Sequence, residues 1–150
     1  MSELRDLYQE MILDHGKSPR NFRETPGATN VCDGYNPLCG DKLKLFVKVE
    51  DGIVQDISFQ GTGCAISTAS NSLMTSVVKG KTVEEVKQMV DEFRELVTGD
   101  PDKEIDTKAL GKLAVFAGVA EFPTRVKCAT LGWHTLLSAI EGDGDVATTE

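Results

Sequence analysis

The sequence predicts an α+β domain, a small antiparallel β-sheet packed against helices, and two observations carry that prediction. The stretch "DKLKLFVKVEDGIVQDISFQG" (41–61) alternates apolar with mostly charged residues on either side of Asp51-Gly52, the pattern of two half-buried antiparallel strands joined by a turn. Before and after it, apolar residues recur at helical spacing in segments long enough for several turns. A chain of 150 residues fits one ordinary domain and can bury a core without disulfide staples.

In "SELRDLYQEMILDH" (2–15), Leu4, Leu7, Tyr8, Met11 and Ile12 share a helical face, Ser2 is the candidate cap, and Gly16 and Pro19 are stops. Residues 20–40, rich in Asn, Pro and Gly, predict a loop with a short edge strand near 28–32, so that Cys39 sits on a loop. In the hairpin, a two-residue turn at Asp51-Gly52 would set Leu45 opposite Ser58 and spoil the apolar face. A three-residue loop, Glu50-Asp51-Gly52, pairs Val49 with Ile53, Leu45 with Ile57 and Leu43 with Phe59, and is the expected register. Extended backwards, it sets Asp41 opposite Gly61 and Cys39 near Gly63, beside Cys64. "CAISTASNSLMTSVVKG" (64–80) predicts a helix whose small residues allow close packing on the sheet. Thr82 and Glu85 form a capping box in front of Val86, Met89, Val90, Phe93, Leu96 and Val97. A short apolar helix over 107–117 and a last helix from about Arg125 to Gly142 complete the elements. The folded domain is expected over 1–141, followed by an acidic, flexible tail over 142–150.

Sixteen basic residues against 24 acidic ones, a formal net charge of −8, have the wrong sign for a groove that follows a phosphate backbone, which argues against nucleic acid as a partner. No run approaches the roughly 18 apolar residues of a membrane span. The expectation is a soluble cytoplasmic protein, in whose reducing surroundings Cys32, Cys39, Cys64 and Cys128 serve as thiols, ligands or nucleophiles instead of structural disulfides.

The cysteine spacings, 7, 25 and 64 residues, match no compact finger or ribbon. If a metal is bound, the fold must assemble its ligands. In an extended segment residues two apart point the same way, so Cys39 and Asp41 in "NPLCGD" (36–41) can aim sulfur and oxygen at one point, with Gly40 leaving the space clear. The hairpin returns Cys64 to their neighbourhood, and Cys64 and Cys128 both fall at expected helix starts, where unpaired N–H groups favour thiolate. Three thiolates and a carboxylate suit tetrahedral zinc. Together they would outweigh the divalent cation by two negative charges, which Lys127, Lys42 or Arg125 could partly offset. The plainer alternatives stand beside this: each cysteine as a small buried hydrophobe, Asp41 as a turn acid, Cys32 as an ordinary surface or edge-strand thiol. His15 reads as a helix C-terminal cap and His134 as a packing or surface residue. With the histidines so placed, a Cys–His nucleophile pair has little support. A purely structural zinc site is the stronger rival. The weaker oxygen ligand points instead to a site where a ligand can leave, and Cys39, on its loop, is the one expected to move.

Taken together, "NPLCGD", "GTGCAIS" (61–67) and "VKCATLGW" (126–133), with "SPRNF" (18–22) after the first helix, resemble the U-type iron–sulfur cluster assembly proteins, the IscU/NifU-like family, from about residue 3 to residue 141. Within it, the likeness is to the SufU branch of zinc-containing sulfurtransferases. The resemblance implies a SufE/NifU-like fold and a tightly held Zn2+ on Cys39, Asp41, Cys64 and Cys128. It also implies a role accepting sulfur from a pyridoxal-phosphate cysteine desulfurase (SufS-like) and passing it towards a downstream SUF cluster assembly scaffold. In the implied mechanism a desulfurase histidine takes a place on the zinc and releases Cys39 to attack the enzyme's persulfide. Lys127 stands where scaffold members carry a histidine before the third cysteine, and the segment between the Cys64 helix and Cys128 is longer than in those scaffolds; both features match the SufU branch. The alternatives are a scaffold that builds a cluster on the same thiols and a non-catalytic adaptor with structural zinc.

Overall fold

The structure, a computed structural model, describes residues 2–36, 40–98, 113, 116, 123–141 and 147–148. It has the expected α+β architecture. Helix α1 (Ser2–Lys17) precedes strands β1 (Asn30–Asn36), β2 (Asp41–Glu50) and β3 (Ile53–Thr62); helices α2 (Ala65–Val78), α3 (Val83–Thr98) and α4 (Pro123–Glu141) follow, then β4 (Ala147–Thr148). The sheet order is β3-β2-β1-β4, antiparallel except that β4 runs parallel to β1 through Gly34–Ala147 and Tyr35–Thr148. Cys39 lies outside the described residues, as do the expected 107–117 helix apart from Leu113 and Phe116 and the rest of the 142–150 tail.

The hairpin corrects the expected register. Its turn is the two-residue one: Glu50 pairs with Ile53, and Asp51 and Gly52 take φ values of 55° and 73°, the left-handed pair of a type I′ turn. The apolar face survives because the ladder shifts between Lys48 and Val49, with Gln55 as the extra residue, so Val49 meets Val54 while Val47 meets Ile57 and Leu45 meets Phe59. Val54 and Ile57 are three apart and would face opposite sides of a regular strand; the bulge turns both inward, and both are fully buried. The shift also moves the end of the hairpin. Lys42 pairs with Thr62, so Asp41 is brought beside Gly63 and Cys64.

β1 is longer than the edge strand expected near 28–32. It alternates cleanly, with Cys32, Gly34 and Asn36 inward and Val31, Asp33 and Tyr35 outward. Cys32 is therefore on an outer strand of the antiparallel sheet but belongs to the core, not the surface. α4 covers β1 and β2, α2 lies against β3, α1 packs on α2 and α3 on α4. Gly34 makes the α4 contact close, since a Cβ there would collide with Thr135 Oγ1. In the core Trp133 stacks on Phe93 at 4.7 Å and Phe116 meets Phe93 edge-on at 5.6 Å.

α3 starts on the expected capping box: Thr82 N–H donates to Glu85 Oε1 and Glu85 N–H to Thr82 Oγ1, both at 3.1 Å. α4 starts at Pro123, earlier than expected, with proline at a position that has no intrahelical bond to lose. Cys128 is consequently the sixth residue of α4, past the unpaired N–H groups of the first turn. The helix-terminus argument holds for Cys64 alone.

Candidate metal centre

Three elements converge on one point. Asp41 opens β2 on the inward face, Cys64 caps α2, and Cys128 sits on α4 near the end of β1. A carboxylate oxygen of Asp41 and the sulfurs of Cys64 and Cys128 lie within 4.8 Å of one another, the one such group among the described residues. Asp41 is 1% and Cys128 3% exposed, whereas Cys64 is open to solvent. Cys39, the fourth expected ligand, is not among the described residues; its neighbour Gly40 takes φ +72° and donates its N–H to Asn36 O at 2.8 Å. Asn36 and Asp41, described on either side of Cys39, pair across the ladder.

The carboxylate is held from one side only. Asp41 Oδ1 accepts the Cys64 N–H at 3.0 Å, while Oδ2 is buried with no hydrogen-bond partner among the described residues. A buried polar atom left in that state costs about 1–3 kcal/mol, more when charged. A cation shared with two neighbouring sulfurs removes that cost, so the residues present fit a bound metal, and a sulfur, sulfur, oxygen donor set suits zinc and also iron. Glycine at 63 permits the approach: a Cβ there would stand 2.9 Å from Asp41 Oδ1.

N–H groups face the sulfurs as well. Cys64 Sγ caps α2 by accepting the Ser67 N–H at 3.4 Å, and Asn36 Nδ2 points at Cys128 Sγ from 4.0 Å. Asn36 is the participant that the sequence reading missed. Its signal was present in the period-two alternation from Cys32, had β1 been extended to residue 36. Of the expected supporting cations, Arg125 is exposed and Lys127 half-buried on α4 just before Cys128. Neither histidine is in the metal-binding group. His15 is buried, with Nδ1 2.7 Å from Ser72 Oγ of α2, so it fastens α1 to α2 and is more than an end cap. His134 is half-buried; burial, and secondarily the charge of Arg94, lower its pKa below the ordinary value.

The NifU-like N terminal domain family matches residues 7–129. The chain is 42% identical over 139 residues to the zinc-dependent sulfurtransferase SufU of Bacillus subtilis, covering 90% of each chain. It is 43% identical over 141 residues to the iron-sulfur cluster assembly scaffold protein IscU of Streptococcus pyogenes serotype M1, covering 94% of this chain and 87% of that one. A crystal structure described as an iron-sulfur cluster assembly scaffold protein for the SUF system, from Fervidobacterium islandicum AW-1, superimposes with a TM-score of 0.81 at 34% identity, covering 91% of this chain and 98% of that one. A converging Asp-Cys-Cys site, the matched domain and these relatives lead to one conclusion: the chain belongs to the NifU-like N-terminal domain family of U-type iron–sulfur cluster assembly proteins.

Proposed function

We propose that this protein is a cytoplasmic zinc-dependent sulfurtransferase that accepts persulfide sulfur on Cys39 from a partner cysteine desulfurase and passes it into iron–sulfur cluster assembly. The observation that carries the reading is Asp41 Oδ2, buried without a partner among the described residues and beside two cysteine sulfurs, together with the likeness to the SufU sulfurtransferase. Asp41, Cys64 and Cys128 are the retained ligands and Cys39 is the fourth. Zinc, when bound, supplies a Lewis acid that keeps the thiols of the site deprotonated near neutral pH. In the transfer step the Cys39 thiolate attacks the outer sulfur of the partner's persulfide. A new S–S bond forms on Cys39, the old one breaks, and the partner's cysteine leaves as thiolate with no net oxidation. Arg125 and Lys127 offset part of the negative charge of the site and leave the approach open to an anionic persulfide.

The scaffold reading has its own support, the comparable likeness to IscU and a donor set that would also serve iron. Lys127, in place of the histidine that scaffold members carry, favours transfer. The deciding experiment incubates the purified protein with a cysteine desulfurase and cysteine, then measures intact and peptide masses. Added sulfur on Cys39, zinc at about one per chain without a visible chromophore, and loss of sulfur acceptance in Cys39→Ser are the expected results. A Cys39→Ser variant that still takes up sulfur and stimulates the desulfurase would refute the assignment; a reproducible cluster spectrum coupled to cluster delivery would support the scaffold, and zinc with neither activity an adaptor.

A further inference from the structure

We propose that Asn36 is a positioning residue that orients Cys128, keeping its sulfur among the retained ligands while Cys39 is free to leave. The inference deepens the proposed metal reading and rests on it.

Asn36 is completely buried at the inward end of β1, where the alternation that buries Cys32 and Gly34 would admit a small or apolar residue. An amide in such a place is costly unless its polar atoms are used. Nδ2 points at Cys128 Sγ from 4.0 Å, a long N–H···S contact. The backbone of Asn36 is tied separately, through Gly40 N–H at 2.8 Å and the ladder pair with Asp41, so the side chain springs from a fixed base.

The three described donors then follow one rule. Asp41 is oriented by Cys64 N–H, Cys64 by Ser67 N–H, and Cys128 by Asn36 Nδ2–H. The first two come from backbone at the start of α2. Cys128 lies beyond the first turn of α4, and the group that faces its sulfur from the neighbouring strand is the side-chain amide of Asn36. Groups behind the ligands that set their direction are commonly worth about 10- to 100-fold in metal affinity.

The test compares wild type, Asn36→Ala and Asn36→Ser, each also in a Cys39→Ser background. Zinc affinity is read by competition with a chromogenic chelator, and cobalt-loaded protein by its sulfur-to-metal charge-transfer absorption. Circular dichroism of the metal-free proteins checks folding. Serine can satisfy a local turn but is too short to reach Cys128, so it separates the two roles and carries the test if alanine fails to fold. Both variants are expected to weaken zinc binding by about 10- to 100-fold and to alter the charge-transfer band, with the same loss when Cys39 is already absent. Wild-type affinity in both variants overturns the inference, as does recovery in the serine variant. A loss that vanishes in the Cys39→Ser background overturns it too, because it assigns Asn36 to the loop carrying Cys39. Wild type that binds neither metal removes the metal reading itself, an outcome distinct from normal metal binding by the Asn36 variants.

Discussion

Asp41 shows how one residue can be a poor choice for a folded apo chain and a good one for a metal site. Its Oδ1 is used by Cys64 N–H, but its Oδ2 is buried without a partner among the described residues. Asp41→Ala therefore removes a hydrogen bond and an uncompensated polar atom together, and these nearly offset each other in the metal-free protein. We expect a folded variant whose metal-free stability changes by no more than about 1 kcal/mol, measured by urea titration, but whose zinc exchanges faster and whose sulfur acceptance is altered. Normal exchange and acceptance would reduce Asp41 to a turn acid. The identity of Asp41 as a candidate was legible in "NPLCGD", because Cys and Asp two apart on an extended segment share a direction. Its neighbour was not: Asp41 accepts the Cys64 N–H because of a ladder shift at Gln55, farther along the hairpin.

At the scale of elements, helix and turn signals with a short-range cause translate directly. The Thr82/Glu85 box forms both its bonds, and the chain reverses at Asp51-Gly52 as expected, although by a two-residue turn instead of the expected three-residue loop. Packing between elements creates properties that no local pattern carries, of which His134 is an example. It sits half-buried on α4 with Arg94 of α3 as a like charge nearby, and burial first, then Arg94, lower its pKa from the ordinary 6.5. The unfolded chain thus binds that proton more readily than the folded one. The contribution of His134 to stability is full above pH 6.5 and is lost as pH falls from there through the depressed folded value. Denaturant midpoints should fall between about pH 7 and pH 5 in the wild type and fall less steeply in His134→Gln. An equal slope in the two proteins would show that the α3–α4 contact does not exclude the charged ring.

For the whole molecule, the proposed metal site would also be a stability element, since it gathers β2, the start of α2 and α4 around a carboxylate oxygen that is buried without a hydrogen-bond partner among the described residues. Removing the metal with a chelator should destabilise the protein by about 3 kcal/mol relative to metal at roughly 100 times its dissociation constant, which is on the order of 10 °C in Tm for a chain of this size. Calorimetry with zinc added back tests this, and an unchanged Tm would mean that the folded state does not bind the ion preferentially. The amino-acid order alone was enough for the α+β class, the helix over 64–80, the capping box, the hairpin and the thiol and carboxylate candidates, because propensity, capping and alternation act between residues a few positions apart. It was not enough for three things. The ladder shift at Gln55 depends on burying Val54 and Ile57 on one face. The depth of Cys128 within α4 depends on where Pro123 can begin a helix against the sheet. The meeting of Asp41, Cys64 and Cys128 spans 64 residues of chain between its last two members. Each is settled by which side chains can be buried together once the elements pack, and that competition has no short-range signature.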